Sequence, residues 1–180
     1  MGNVERIGVT GLYHVIPMRP LRRTPGVIFD FLRIGDLGEV SAFDRVIHQR
    51  GAVSPGPVGD VSRPWYMHTH QIDNLIVLHG TRYVELYTPA HGRLEQFTVK
   101  PDLILHGDEV LFEGAGILGW PVGVFHRIIS CAKEGSASLN LAIHTAGFDL
   151  RTNFSIYGLD LTSGAHRVIR EGHLDQAVPA

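Results

Sequence analysis

The sequence has few features of a disulfide-rich, nucleic-acid-binding or membrane-spanning protein. It has one cysteine, Cys131, in 180 residues, so no disulfide can form within the chain. Its 16 basic and 18 acidic residues give a formal net charge of −2, without the excess of positive charge that nucleic acids or anionic membranes attract. No uninterrupted apolar run reaches the roughly 20 residues that a membrane-spanning helix needs. We therefore expect a protein that binds neither nucleic acid nor membrane.

The first residues also lack the features of a targeting segment. The stretch 1–6 has no basic start followed by an apolar stretch and a small-residue cleavage site. Arg6 stands where a myristoylation site would have Ser or Thr. Together with the lone cysteine, these absences predict a cytoplasmic protein.

The sequence is rich in short strand-like runs, and sustained helical periodicity is hard to find in it. A chain of this length suits one domain with a sizeable core. Runs of β-branched and aromatic residues are closed by turn residues, to which 21 glycines and 10 prolines contribute. An all-β sandwich or barrel is the predicted architecture. The runs that predict strands are 26–32, 39–48, 65–70, 74–78, 82–88, 94–100, 109–112, 125–130 and 137–144.

Three other segments carry weaker predictions. The Gly- and Pro-rich stretch 51–64 has a length at which loops are usually functional, so we interpret it as a flap or entry loop. Three arginines among prolines, at 19, 22 and 23, predict a solvated arm. The polar tail 166–180 is expected to pack across the barrel or a partner subunit.

The segment around residues 66–73 contains the residues most typical of a metal site. In a strand, alternate side chains share a face, so His68 and His70 would project the same way and converge on one cation. Asp73 follows after a break in the alternation, where a hairpin or bulge can return its carboxylate to the two rings. A fourth candidate, His126, follows a Pro-x-Gly turn, but the spacing alone does not make it a neighbour of His68.

These two segments resemble the paired motifs of the cupin superfamily. The first motif runs Gly, a spacer, His-x-His, a short spacer, Glu, a spacer and Gly. The second runs Gly, a spacer, Pro-x-Gly, two residues, His, a short spacer and Asn. The resemblance covers roughly residues 63–130. The residues that match are His68, His70 and Gly80 of the first motif and Pro121, Gly123 and His126 of the second, with Gly107-Asp108 similar to the turn that leads into the second.

The resemblance implies the fold of a single-domain cupin, which is a double-stranded β-helix or jelly-roll barrel of two antiparallel sheets. We expect one domain over residues 1–180, with a barrel core at about 26–145 and extensions at both ends. The resemblance also implies a homodimer, because cupins of this type commonly pair through sheet edges and terminal strands.

The resemblance further implies one divalent metal ion, Fe, Mn, Ni, Co or Zn, bound by His68, His70 and His126. Asp73 departs from the motif. Counting back from Gly80 places the family's Glu on Asp73, whereas counting forward from His70 places it nearer Asn74 or Leu75. Either Asp73 is a shorter acidic fourth ligand, or the site has three histidines completed by water. Ser130 stands where the second motif often has Asn.

Other residues are candidates for the pocket by strand parity alone. Tyr66 shares parity with His68 and could be a proton donor or substrate contact, although an aromatic residue that fills the barrel interior is the commoner case. Asn140 and His144 share parity on a late strand, where they line either the pocket or a polar outer face.

A metal in this setting would act as a Lewis acid on a small-molecule substrate. Two reaction classes fit: dioxygenation with a redox-active metal, or isomerisation, epimerisation or lyase chemistry next to a carbonyl with a redox-silent one. Chain length and strand-rich ends are also similar to the sugar-nucleotide epimerase branch of the cupins, whose His/Tyr pair works without metal and whose motif is not matched here. The alternative is a non-catalytic cupin that binds a metal or ligand as a sensor or storage module.

Overall fold

A computed structural model of the protein describes residues 6–176, and strands dominate them. Within this range the one α-helix is α1, four residues long, and two further single turns are 3-10 helices at Ile34–Asp36 and Gly172–Asp175. No helix in these residues is long and apolar enough to cross a membrane. The elements are β1 (Ile7–Val9), β2 (Tyr13–Pro17), β3 (Arg19–Thr24), β4 (Val27–Phe31), β5 (Ala42–His48), β6 (Val53–Ser54), β7 (Trp65–Met67), β8 (Gln71–Gly80), β9 (Arg82–Tyr87), β10 (Glu95–Lys100), β11 (Leu103–His106), β12 (Glu109–Glu113), β13 (Gly116–Trp120), β14 (Phe125–Ser130), β15 (Ser136–His144), α1 (Leu150–Asn153), β16 (Ile156–Leu159) and β17 (His166–Arg170).

Two large antiparallel sheets face each other. One has six strands in the order β1-β2-β13-β8-β15-β5. The other has nine strands and runs β12-β11-β10-β9-β14-β7-β16-β17, with the short β6 also paired to β14. A separate two-stranded hairpin, β3-β4, belongs to neither sheet. Strands distant in sequence are therefore neighbours, which brings the segment around His68 and the segment around His126 together.

The main apolar core lies between the two sheets. Its side chains come mainly from β2, β8 and β13 of the six-stranded sheet and from β9, β10 and β11 of the other. Alternate residues of these strands point inward, as in Val84 and Leu86 of β9, which are 1% and 0% exposed. A second, aromatic cluster joins Trp65, Tyr87, Phe125 and Tyr157. Burial of these apolar faces holds the sheets together.

Most predicted strands are confirmed, with shifted ends. The run 125–130 is β14 as predicted, whereas the run 74–78 extends to the ten residues of β8. The run 65–70 stops early, because β7 ends at Met67 and β8 begins only at Gln71. The predicted arm of arginines is strand β3, exposed along its length. The strands that the pattern did not predict are β1, β2, β3, β6, β11, β13, β16 and β17.

Strand β13 shows why a central strand escaped prediction. All five of its residues are buried, so it lacks the alternation of a half-buried strand, and two are glycines. A Cβ on Gly119 would lie 2.3 Å from Nε2 of His14 and 2.7 Å from Oδ1 of Asn74. Glycine is thus needed here for close packing, although in sequence it suggests a turn.

The loop and tail predictions have mixed outcomes. The segment 51–64 is mostly loop, but Val53–Ser54 forms β6 against β14. The polar tail contributes β17, which pairs with β16. Residues 1–5, on which the targeting prediction rests, and residues 177–180 of the tail lie outside the described residues.

Candidate metal centre

A cavity of about 220 Å³ lies between the two sheets and is lined by side chains from both. Polar and charged groups gather in it although the surrounding core is apolar. Its lining residues are Asp44, Val46, His48, Ser54, Tyr66, His68, Gln71, Asp73, Leu75, Arg82, Trp120, His126, Ile128, Asn140 and Phe154.

Three buried residues of this cavity converge on one point. His68, Asp73 and His126 each offer an atom that lies within 4.8 Å of those offered by the other two. The Nε2 atom of His68 is 3.3 Å from Oδ2 of Asp73, and Nε2 of His126 is 3.8 Å from the same oxygen. All three are at least 94% buried. Two imidazole nitrogens and a carboxylate oxygen at this spacing form a ligand set for a divalent cation, and the prediction of such a site is supported to that extent.

In each histidine ring, the hydrogen bond made by Nδ1 determines that Nε2 is the nitrogen available to a metal. Nδ1 of His68 donates a hydrogen bond to the carbonyl oxygen of Asn153 at 2.6 Å, and Nδ1 of His126 donates to that of Val124 at 3.1 Å. A carbonyl only accepts, so Nδ1 carries the proton in each ring. The lone pair of a neutral ring is then on Nε2, directed towards Asp73. This is the arrangement that orients histidines bound to a metal.

Asp73 is held through its other oxygen. Oδ1 accepts hydrogen bonds from Nε2 of Gln71 and from Nδ2 of Asn140, both at 2.7 Å. The amide of Gln71 is held in turn by Nδ2 of Asn153, which donates to its Oε1 at 3.2 Å. Oδ1 is therefore occupied, while Oδ2 faces the two histidines and is available as a ligand atom.

Pairing between strands brings the ligands together. Asp73 of β8 lies opposite Trp120 of β13, and His126 of β14 lies opposite Tyr66 of β7. The Pro-x-Gly turn links the two halves, because the backbone N–H of Gly123 donates to the carbonyl of His68 at 2.9 Å. Gly123 has φ +78°, a left-handed conformation that favours glycine.

The environment keeps two of these groups uncharged. Burial, with the neighbouring His68, lowers the pKa of His126 to about 4, so its ring is neutral at pH 7. Burial also raises the pKa of Tyr66, which keeps its phenol protonated. The Tyr66 ring lies 5.9 Å from the His126 ring and 6.4 Å from the His68 ring, between centroids. Tyr66 thus lines the cavity as an un-ionised proton donor.

The structure does not bring His70 to this cluster. Because β7 ends at Met67, residues 68–70 are irregular, and the shared strand face predicted for His68 and His70 does not exist. The Nδ1 atom of His70 lies 3.3 Å from Oγ1 of Thr145, and its ring packs against Gly147. Asp73, which the sequence prediction gave as a possible fourth ligand, stands beside His68 and His126.

Of the two residues of β15 that strand parity made candidates for the pocket, one lines the cavity and the other does not. Asn140 does line the cavity and holds Asp73. His144 is absent from the lining and stacks on Phe148, with ring centroids 3.5 Å apart. Ser54, in the predicted flap, contributes to the lining.

Sequence reasoning missed several contributors to the site, among them Gln71, Asn153 and Phe154. Gln71 has the same parity as Asp73 in β8, a signal that was available. Asn153 and Phe154 come from the segment after β15, which folds back over the site so that the Phe154 ring meets the His68 ring edge-on at 5.0 Å. Nothing in the sequence shows where that segment returns, and no motif marks its residues.

Comparisons with known proteins bear on the fold. No protein-family model matches the sequence, and a search of curated proteins finds no significant match. Among solved structures, a dTDP sugar isomerase from Desulfovibrio desulfuricans G20 is similar, with a TM-score of 0.51 and 18% sequence identity over 75% of this chain and 80% of that chain. Together with the all-antiparallel sheets, this similarity confirms the predicted cupin-type jelly-roll fold.

Proposed function

We propose that this protein is an enzyme that uses one divalent metal ion to act on a small molecule next to a carbonyl group. His68, Asp73 and His126 would hold the ion. The observation that supports this proposal is the convergence of Nε2 of His68, Nε2 of His126 and Oδ2 of Asp73 inside a buried cavity. Acceptor atoms that face one another at this spacing repel unless a cation or a proton lies among them.

The reaction class that we favour is isomerisation or epimerisation. When bound, a divalent ion supplies a Lewis acid that polarises a carbonyl oxygen. Tyr66 lines the same cavity, burial raises its pKa, and it would donate a proton to an oxygen or carbon of the substrate. Similarity to a sugar isomerase supports this class at the level of the fold.

A dioxygenase is the second candidate. Two histidines and one carboxylate with open positions are the ligand set of many non-haem Fe(II) oxygenases, and that is the set gathered here. A non-catalytic metal- or ligand-binding cupin is the third possibility, and it predicts binding without turnover.

The metal site is tested by elemental analysis of protein purified without chelators and loaded separately with Fe, Mn, Ni, Co or Zn. We expect about one ion per chain. His68→Ala, Asp73→Ala and His126→Ala should each lose most of it, because each removes a ligand atom. His70→Ala is the matched control and should keep the ion, since His70 lies outside the cluster. Equal metal content in all four variants would overturn the proposal.

The reaction class is tested by two screens of the loaded protein. NMR would follow isomerisation of keto acids, diketones and sugars, and an oxygen electrode would follow oxygen uptake with the same compounds. Isomerisation without oxygen uptake supports the first candidate, and uptake that requires iron supports the second. Stoichiometric metal with neither reaction would favour the non-catalytic alternative.

A further inference from the structure

Arg82 is a charged residue in the cavity that the proposed metal site does not use. Its side chain is 2% exposed and contributes to the cavity lining. Arg82 pairs with Ser130 of β14, four residues beyond His126 on the same strand. At about 3.3 Å per residue, the backbone at Arg82 is about 13 Å along the sheet from the backbone at His126. The guanidinium and the metal ligands therefore belong to opposite ends of one cavity.

The guanidinium has only neutral partners among the described residues. Nε donates to Oγ of Ser136 at 3.0 Å, and one terminal nitrogen donates to the carbonyl of Val46 at 3.2 Å. No acidic residue in the range 6–176 forms an ion pair with Arg82. Burial lowers its pKa to about 10, so the side chain is still charged at pH 7. A buried charge without a counter-ion is costly, and a site that binds an anion is a common reason to keep one.

With the proposed divalent ion bound, the charges in the cavity leave Arg82 uncompensated. Two carboxylates line it, Asp73 in the ligand cluster and Asp44, whose Oδ2 accepts from Nδ2 of Asn140 at 3.1 Å. Together they match the charge of one divalent ion at that end. His48 adds no charge near Arg82, because burial, and the charge of Arg82 itself, lower its pKa to about 4. A monoanion beside Arg82 would leave the loaded cavity electrically neutral.

Polar groups also connect the two ends. Ser136, Ser138 and Asn140 alternate along β15 and share the face that meets Arg82 at one end and Asp73 at the other. Among the residues that line the cavity, the buried Nε1 of Trp120 has no hydrogen-bond partner. An unpaired buried N–H is available to an acceptor atom of a bound molecule.

We infer that Arg82 binds a carboxylate of the substrate, so that the substrate class is a compact monocarboxylic acid with an oxygen function at its other end. This inference rests on the proposed function for that other end only. At about 220 Å³ the cavity is smaller than the roughly 300–1,000 Å³ of pockets that hold drug-sized ligands. The acid enters with its carboxylate towards Ser136 and Arg82 and its second oxygen towards the histidines.

The test is a pair of probes that differ in charge alone. Pentanoate and pentanamide have nearly the same shape, and calorimetry would measure their affinity for the whole chain, first without added metal and then with Co(II). We expect the acid to bind roughly 10- to 100-fold more tightly than the amide in both states, as for other charge-assisted pairs.

The variants separate binding from a structural role. Arg82→Gln should abolish the preference for the acid, whereas Arg82→Lys, which keeps the charge, should retain part of it. The matched control is Arg45→Gln, which removes an exposed arginine of β5 on the face opposite Asp44 and Val46 and should leave the preference unchanged. If Arg82 had only a structural role, through its hydrogen bonds to Ser136 and Val46, Arg82→Gln would lower the melting temperature. The ratio of the affinities for acid and amide would then stay as in the wild type.

Each outcome decides one part of the account. Equal affinity for acid and amide in the wild type, or a preference that survives in Arg82→Gln, overturns the inference about Arg82 even if Co(II) binds. Failure to bind Co(II) overturns the proposed metal site, while the acid-to-amide ratio still tests Arg82. Tighter binding of inorganic phosphate than of pentanoate would also overturn the assignment to a monocarboxylic acid.

Discussion

At the scale of single residues, the two oxygens of Asp73 have different roles. Oδ1 accepts two hydrogen bonds from the amides of Gln71 and Asn140, and Oδ2 faces the histidines. The amides hold the carboxylate in one orientation without occupying the oxygen that would bind metal. Gln71 and Asn140 are therefore positioning residues. Loss of a hydrogen-bond partner of a metal ligand typically lowers the metal affinity 10- to 100-fold.

Asn140→Leu therefore tests whether the hydrogen bonds to Asp73 matter for the metal. We expect the affinity for Zn(II) to fall about tenfold or more, measured by competition with a chromophoric chelator. Ser138→Ala is the control on the same face of β15; its hydroxyl has no partner, so the affinity should not change. Equal affinities for the two variants would show that Asn140 does not position Asp73.

The sequence predicts the site residues that belong to a local motif. It does not predict those that a distant segment of the chain brings to the site. His68 and His126 were identified because the His-x-His and Pro-x-Gly patterns are local. For Asp73 the sequence leaves two alternatives, a fourth ligand or a site of three histidines and water. Its position depends on the tight connection into β8. Arg82 and Asn153 carry no motif, and their roles depend on which strands lie opposite one another.

At the scale of elements, the start of β10 is tied to two neighbouring turns by one buried carboxylate. Glu95 is 5% exposed and is bound by Nε2 of His91 at 2.6 Å, Nε2 of His106 at 2.5 Å and the guanidinium of Arg93 at 2.7 Å. Burial works against the ionised form, but these hydrogen bonds prevail and lower the pKa of Glu95 below its usual value. The cluster therefore stabilises the connection between β9 and β10 and the end of β11.

Glu95→Gln should lower the free energy of unfolding by about 2 kcal/mol at pH 7, because a charge-assisted set of hydrogen bonds is lost. The pKa of Glu95 is lower in the folded protein than in the unfolded chain, where it is near 4.5, so the ionised carboxylate stabilises the folded state above that pH. This stabilisation is lost as the pH falls through the folded-state pKa. The difference from wild type should thus shrink below about pH 4.5 in urea titrations. The exposed Glu109→Gln is the control, expected to change the free energy by less than about 0.5 kcal/mol. A difference for Glu95→Gln that stays constant down to pH 3 would contradict this account.

Strand prediction succeeded for elements whose pattern is local. In β5 and β10, inward and outward residues alternate closely enough for the runs to be recognised. Strand β13 is buried on both faces and contains glycines required by packing, so its sequence resembles a turn. Strand β16 pairs with β7, and β17 pairs with β16. No short-range pattern encodes these pairings.

At the scale of the whole molecule, exposed apolar side chains favour the predicted homodimer, which we retain as a proposal. In the β3-β4 hairpin, Ile28 is 73% and Leu21 59% exposed, and on β5, an edge strand of the six-stranded sheet, Phe43 is 70% exposed. Apolar groups on a hairpin and a free edge are typical of surfaces that a second copy covers.

Sedimentation velocity at micromolar concentration should accordingly show a dimer. Ile28→Glu together with Phe43→Glu should shift it to a monomer, since charges would be buried in the interface. Val110→Glu changes an apolar side chain that is 62% exposed on β12 of the other sheet and should leave the dimer intact. A wild-type monomer would refute the proposal.

The central claim is that His68, Asp73 and His126 bind a divalent metal, and a crystal structure of Co(II)-loaded protein with anomalous data tests it most directly. The account predicts one anomalous peak in the cavity, within about 2.3 Å of Nε2 of His68, Nε2 of His126 and Oδ2 of Asp73. It also predicts no peak at His70. A peak that includes His70 and excludes Asp73, or no peak in the cavity at saturating Co(II), would contradict it.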